Sequence, residues 1–149
     1  MGKLFGTDGI RGIANKEITP FLALKTGIAV AKILTKNTKN KKAKVFIGKD
    51  TRISSDMIES SLAAGLTAMG CDVVLLGIVP TPAVAFLVNK HSADAGVMIS
   101  ASHNSFEFNG IKIFSSSGYK LPDNLEEKIE SIILSEENIN FPQNENIGI

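Results

Sequence analysis

Three short apolar runs alternate with two helical patterns between residues 43 and 99, and this alternation constrains the fold more than any other feature of the chain. The runs are AKVFIG at 43–48, VVLLGIV at 73–79 and AGVMI at 95–99. Between the first two, Met57, Ile58, Leu62, Leu66 and Met69 recur at helical spacing over residues 54–69. Ser54 or Ser55 is the expected cap, Asp56 suits the positive end of the helix dipole, and Gly70 ends the pattern. Between the second and third runs, Pro80-Thr81-Pro82 breaks the strand and opens a short helix at 83–90. Strand–helix–strand units call for crossover connections, hence parallel strands with helices on both faces. The expected fold is three-layer α/β/α with a mainly parallel (mixed) central sheet. VVLLGIV, apolar throughout, reads as a strand covered on both sides.

The flanking regions extend this unit. Residues 19–35 read as an amphipathic helix with Phe21, Leu24, Ile28, Ala31 and Leu34 inward, Thr19 as cap and Pro20 at the first helical position. Residues 111–114 form a further strand, and residues 122–134 a last helix facing in through Leu125, Ile129, Ile132 and Ile133. The 149 residues make one domain, expected at 1–135, able to bury roughly 68–70% of the surface its unfolded chain exposes. Residues 136–149 are polar and Asn-rich and read as the start of a linker.

Charge and cysteine content exclude several classes. A net charge of +1 argues against nucleic-acid or membrane-surface partners. The basic stretch KNTKNKKAK at 36–44 lies between a helix and a strand and reads as a solvated loop. Cys71 is the single cysteine, so there is no disulfide framework and no thiolate metal site. No apolar stretch approaches the ~20 residues of a membrane span. Residues 1–12 carry no apolar signal region, and Gly6 stands where myristoylation needs Ser or Thr. The cytoplasm is the expected location.

Ligands of open α/β sheets collect at the carboxyl ends of strands. Three polar segments fall there: 50–52, 80–82 and 100–110. Asp50 and Arg52 are expected to pair and organise their own loop. In GTDGIRG (residues 6–12) no Gly-Lys-Ser/Thr follows, and the glycine spacing is not the dinucleotide pattern. It is either a tight glycine turn or a mount for Arg11, whose guanidinium can grip phosphate at two points. SASHN (100–104) lacks the nucleophile elbow of a Ser–His hydrolase. Adjacent side chains rarely face each other, so Ser102 and His103 make a poor nucleophile–base pair. Asn109-Gly110 is expected to turn the chain into strand 111–114. His91 is expected in solvent, and Ser115–Gly118 in a turn.

Four segments taken in order, GTDGIRG, IGKDTRIS, PTPA and ISASHN…FNGIKIF, resemble the α-D-phosphohexomutases across essentially the whole chain. Within that family the opening and the serine loop are most similar to the bacterial members that act on glucosamine 6-phosphate. The resemblance implies that Ser102 is phosphorylated and gives its phosphoryl group to the hexosamine phosphate. A 1,6-bisphosphate intermediate then returns the other phosphoryl, leaving the 1-phosphate. Arg11 and Lys112 match residues implicated in charge stabilisation and proton transfer, and His103 matches a residue of the same loop. A Mg²⁺ on the phosphoryl oxygen of Ser102 is implied as cofactor. Ser105 stands where Pro is usual, Phe108 where Asp is common and Ser55 where Gly is frequent. The first two are expected to loosen the loop, and the third is a smaller change. The family has four domains, and only the first is matched. The Asp-rich metal loop, the sugar-specificity loop and the carboxy-terminal phosphate clamp have no counterpart. The chain is therefore expected to be a piece of a longer protein, partnered by its other domains and inactive alone. The alternatives are a mutase domain for another hexose, as in phosphomannomutase/phosphoglucomutase, and a non-catalytic sugar-phosphate-binding module.

Overall fold

The computed structural model describes residues 4–36 and 41–149. The start of the chain, including Gly2, and the middle of the basic stretch at 36–44 lie outside the described residues. The strands are β1 (Phe5–Gly6), β2 (Gly9–Ile13), β3 (Lys44–Lys49), β4 (Asp72–Ile78), β5 (Ala95–Ile99) and β6 (Phe108–Ser115). The helices are α1 (Pro20–Leu34), α2 (Ser55–Ala68), α3 (Thr81–Lys90) and α4 (Asp123–Leu134). One sheet contains all six strands in the order β1-β2-β6-β5-β3-β4.

The expected parallel arrangement is found across residues 43–99, where β3 pairs in parallel with β4 on one side and β5 on the other. β5–β6, β6–β2 and β2–β1 are antiparallel, so the whole sheet is mixed. The chain steps outward from β3 to β4 and then back across β3 to β5. Right-handed crossovers in opposite directions place their helices on opposite faces. Alternation along the strands matches this. Val45, Ile47, Val97, Ile99 and Ile113 pack with α1, α2 and α4, whereas Phe46, Met98 and Phe114 pack with Val84 and Val88 of α3. Three helices therefore cover one face and α3 the other. Among the described residues no helix is long and apolar enough to cross a membrane.

Several local expectations are corrected. β4 lies at the sheet edge, with Leu75 55% and Ile78 65% exposed, because one helix on the second face cannot cover it. The Val73 N–H at its start donates to the Ile149 carbonyl at 2.7 Å. GTDGIRG is not a simple turn. It is a hairpin of β1 and β2 in which Gly9 carries a positive φ of 81°, and Arg11 sits on a strand. Asn109-Gly110 lies inside β6, opposite Gly12 and Arg11. The buried Asn109 amide holds it there by donating to the Ser54 and Ser55 hydroxyls at 2.8 and 3.2 Å, and residues 100–107 make the reversal instead. α3 begins at Thr81 because Pro82 falls in the first turn, where no intrahelical N–H is needed. Phe21 at the start of α1 is 76% exposed, and the buried face runs through Ala23 and residues 26–31. The Thr19 cap is as expected, its hydroxyl accepting from the Leu22 N–H at 3.1 Å.

α1 and α2 meet through glycines. A Cβ on Gly65 would lie 2.3 Å from the Leu24 carbonyl oxygen, and one on Gly27 2.4 Å from that of Leu62. Both contacts are to backbone, so only a shift of a helix relieves them. Gly65→Ala is expected to cost about 1–3 kcal/mol of stability, read as a lower urea midpoint at unchanged slope. An unshifted midpoint would show that the helices do not meet this closely.

Candidate active site

The site follows from the topology. β3 and β5 are adjacent and parallel, so their carboxyl ends bring the loop after Lys49 beside the loop after Ile99. The Asp50 N–H donates to the Ile99 carbonyl at 3.1 Å and joins the two loops at their base. The antiparallel β2–β6–β5 register then sets Arg11 opposite Gly110 and Lys112 opposite Met98. Cross-strand partners share a face, as do residues two apart on one strand. Arg11, Gly110, Lys112 and Met98 therefore lie on the α3 side of the sheet. Gly110 must be glycine, because a Cβ there would meet the Ser100 oxygen at 2.7 Å and the Ile10 oxygen at 2.9 Å.

Asp8, Arg11, Thr81, Ser100, Ser102 and Lys112 line an open cleft of about 230 Å³. Ser102 is exposed and takes a left-handed backbone conformation, φ 54°, which is uncommon for a serine. The sharp turn swings its hydroxyl to 3.1 Å from His103 Nδ1. The expectation that these neighbours do not face each other is thus corrected, because it assumed ordinary backbone. Arg11 Nη1 is 3.9 Å from an Asp8 oxygen, and its buried Nε has no hydrogen-bond partner among the described residues. Lys112 Nζ lies 5.7 Å from the Phe114 ring centroid. Ser102, Arg11 and Lys112 thus share one cleft, with His103 at the seryl oxygen.

Arg52 does more than was expected of it. Nε donates to Asp50 at 3.0 Å. Nη1 donates to the carbonyls of Ser105 and Phe108 at 2.7 and 3.0 Å, and Nη2 to those of Ser102 and Asn104 at 2.8 and 2.9 Å. The Asp50–Arg52 pair therefore organises the serine loop as well as its own. Asp50 also receives the Ser55 hydroxyl at 3.0 Å. Ser100 helps to lower the Asp50 carboxyl pKa, and its hydroxyl oxygen accepts the Ser102 N–H at 3.0 Å. Ser55, buried between Asp50 and Asn109, is a polar junction rather than a minor change. Sequence reasoning missed the Arg52 carbonyl contacts, the Ser100 hydroxyl at the Ser102 N–H and Thr81. The signal for them was the position of 50–52 and 80–82 at strand ends.

Other chemically suggestive features do not compete. The hollow between β1 and α4 is lined by Asp123, Glu126, Glu127 and Glu130 against Lys120 alone, which disfavours an anion. Burial there pushes the Glu126 carboxyl pKa up. Cys71 is buried, and burial raises its thiol pKa, the reverse of an activated nucleophile. His91 is exposed, 6.1 Å from the Phe46 ring. Among the described residues no group of three or more His, Cys, Asp or Glu is placed to hold a metal. This chain's side chains alone therefore do not fit a Mg²⁺.

Burial pushes the Asp50 carboxyl up, but hydrogen bonds from Ser100, the Arg52 N–H, Ser55 and the Arg52 guanidinium outweigh it and leave the pKa below its ordinary value of 3.8. A depressed carboxylate stabilises the fold at neutral pH, and that stability is lost as pH falls through the folded-state value. Asp50→Asn is therefore expected to be less stable than the wild type at pH 7. The difference should shrink below about pH 4, in urea titrations across pH. A difference independent of pH would contradict the assignment.

Residues 2–140 match the family described as phosphoglucomutase/phosphomannomutase, alpha/beta/alpha domain I. The phosphoglucosamine mutase of Caldicellulosiruptor bescii is 63% identical over 135 residues, covering 91% of this chain and 30% of that protein. That of Acetivibrio thermocellus is 60% identical over 149 residues, covering 99% of this chain and 33% of that protein. The crystal structure of a putative phosphomannomutase from Thermus thermophilus superposes with a TM-score of 0.77 at 32% identity, over 87% of this chain and 29% of that one. The chain thus spans about a third of the length of these relatives. The match runs from the β1–β2 hairpin that carries Arg11, through the loops after β3 and β5, to the end of α4, and on that ground the chain belongs to the phosphoglucomutase/phosphomannomutase family as its α/β/α domain I.

Proposed function

We propose that this chain is the phosphoserine-bearing domain of a mutase that interconverts glucosamine 6-phosphate and glucosamine 1-phosphate. The observation that carries this is an exposed serine, in a strained backbone conformation, sharing a cleft with two cations. Phosphoryl transfer asks a protein for alignment and charge neutralisation more than for covalent chemistry. A phosphoserine carries about −1.5 to −2 charge, and Arg11 and Lys112 carry two positive charges. Holding donor and hydroxyl in line contributes up to roughly 7–11 kcal/mol.

In the first half-reaction a hydroxyl of the hexosamine phosphate attacks phosphorus, and the bond from phosphorus to Ser102 Oγ breaks. The attacking hydroxyl loses a proton and the seryl oxygen gains one. The proton that leaves the attacking hydroxyl balances the one His103, 3.1 Å from Oγ, delivers to the seryl oxygen, while Arg11 and Lys112 stay charged against the phosphoryl oxygens. The 1,6-bisphosphate so formed turns over in the cleft and returns its other phosphoryl group to Ser102. A Mg²⁺ would neutralise charge on the phosphoserine, drawing its other oxygen ligands from outside this chain. Glucosamine is favoured as the sugar because relatives at 63% and 60% identity are phosphoglucosamine mutases.

Ser102→Ala in the full-length protein is expected to lower kcat at least ~10³-fold, with the thermal midpoint unchanged because the side chain is exposed. Turnover near the wild-type rate would refute the proposal. The 149-residue chain alone is expected to show no mutase activity, and measurable activity from it would refute the assignment of part of the site to other domains.

A further inference from the structure

A guanidinium has five N–H donors. In Arg52 each meets an acceptor of this chain: one Asp50 oxygen and the carbonyls of Ser102, Asn104, Ser105 and Phe108. The side chain is 11% exposed. Nothing is left over for a phosphate, in contrast to Arg11 with its unpartnered Nε. The two arginines beside the serine loop therefore differ in kind: one faces the cleft and the other faces the loop's own backbone.

We propose that Arg52, fixed by Asp50, is a positioning residue that gathers the carbonyls of Ser102, Asn104, Ser105 and Phe108 around one largely desolvated cation and so holds Ser102 in its left-handed conformation. Left-handed backbone is disfavoured for an L-residue other than glycine. It persists only where surroundings over-determine it. Here they do so twice. Arg52 binds the Ser102 carbonyl, and the Ser100 hydroxyl oxygen accepts the Ser102 N–H. The first of these restraints leads back to the ion pair at the end of β3. The carbonyls, not the side chains, of Ser105 and Phe108 serve the clamp, so it does not depend on which side chains stand there. Lysine cannot replace arginine, because its ammonium offers three donors from one point where five acceptors surround a planar fork.

The effect on turnover rests on the function proposed above, but the structural claim does not. Two variants, Arg52→Lys and Arg52→Met, test both. Hydrogen exchange of this chain is expected to show peptides spanning 101–108 exchanging at least tenfold faster in both variants, with β3 and β5 peptides within twofold of wild type. In the full-length protein kcat is expected to fall at least tenfold with KM within threefold, because the loop is misplaced while the cleft cations remain. Lysine should rescue neither readout. Loop exchange at the wild-type rate in Arg52→Met, or full rescue by lysine, would overturn the proposal. Equally fast exchange throughout the sheet in both variants would overturn it too, since the role would then be general stability. If the loop loosens but Ser102→Ala stays active, the function fails and the clamp stands.

Discussion

One largely desolvated guanidinium with all five donors engaged ties the serine loop to the sheet. Arg52 enters between the ends of β3 and β5, and four of its five acceptors are carbonyls of the loop that follows β5. A cation taken largely out of water must be matched by acceptors or it destabilises the fold. The loop is therefore obliged to wrap around it, with Asp50 as the balancing anion. The exposed Ser102, its positive φ and the approach of His103 are consequences of that arrangement. Hydrogen bonds to charged groups contribute roughly 1.5–3 kcal/mol each, enough together to hold a conformation the serine would not choose.

The topology explains why the clamp and the chemistry share one end of the sheet. β3 lies between two parallel neighbours, and the chain leaves it in one direction and returns in the other. The crevice at such a reversal is where open α/β sheets take ligands. The antiparallel additions β6, β2 and β1 then carry the cleft cations, Lys112 and Arg11, to the same face as α3. Thr81, at the start of α3, completes that wall.

Much of this was legible from the sequence, for physical reasons. α1 announced itself by its Thr19 cap and α2 by its periodicity, although Ser54 makes no capping hydrogen bond, and β5 by an apolar run bounded by polar residues. Ser102, Arg11 and Lys112 were found through short motifs in order, and the fold brings them to one cleft. Pairing and exposure were less visible. VVLLGIV is as apolar as a central strand, yet strand order, which no local pattern encodes, puts it at the edge. Asn109-Gly110 has the composition of a turn, but two serines from a distant helix start satisfy the asparagine within a strand. Arg52 looked like a local partner of Asp50 because its other acceptors are backbone carbonyls some fifty residues away, and carbonyls leave no trace in a sequence.

The central claim is that the hydroxyl held out by this clamp is the one that carries phosphate. The most direct measurement is peptide mapping by mass spectrometry of the full-length protein after incubation with isotopically labelled glucose 1,6-bisphosphate. The account predicts one labelled phosphoryl group on Ser102. Label on Ser100 or any other residue, or no covalent label at all, would contradict it.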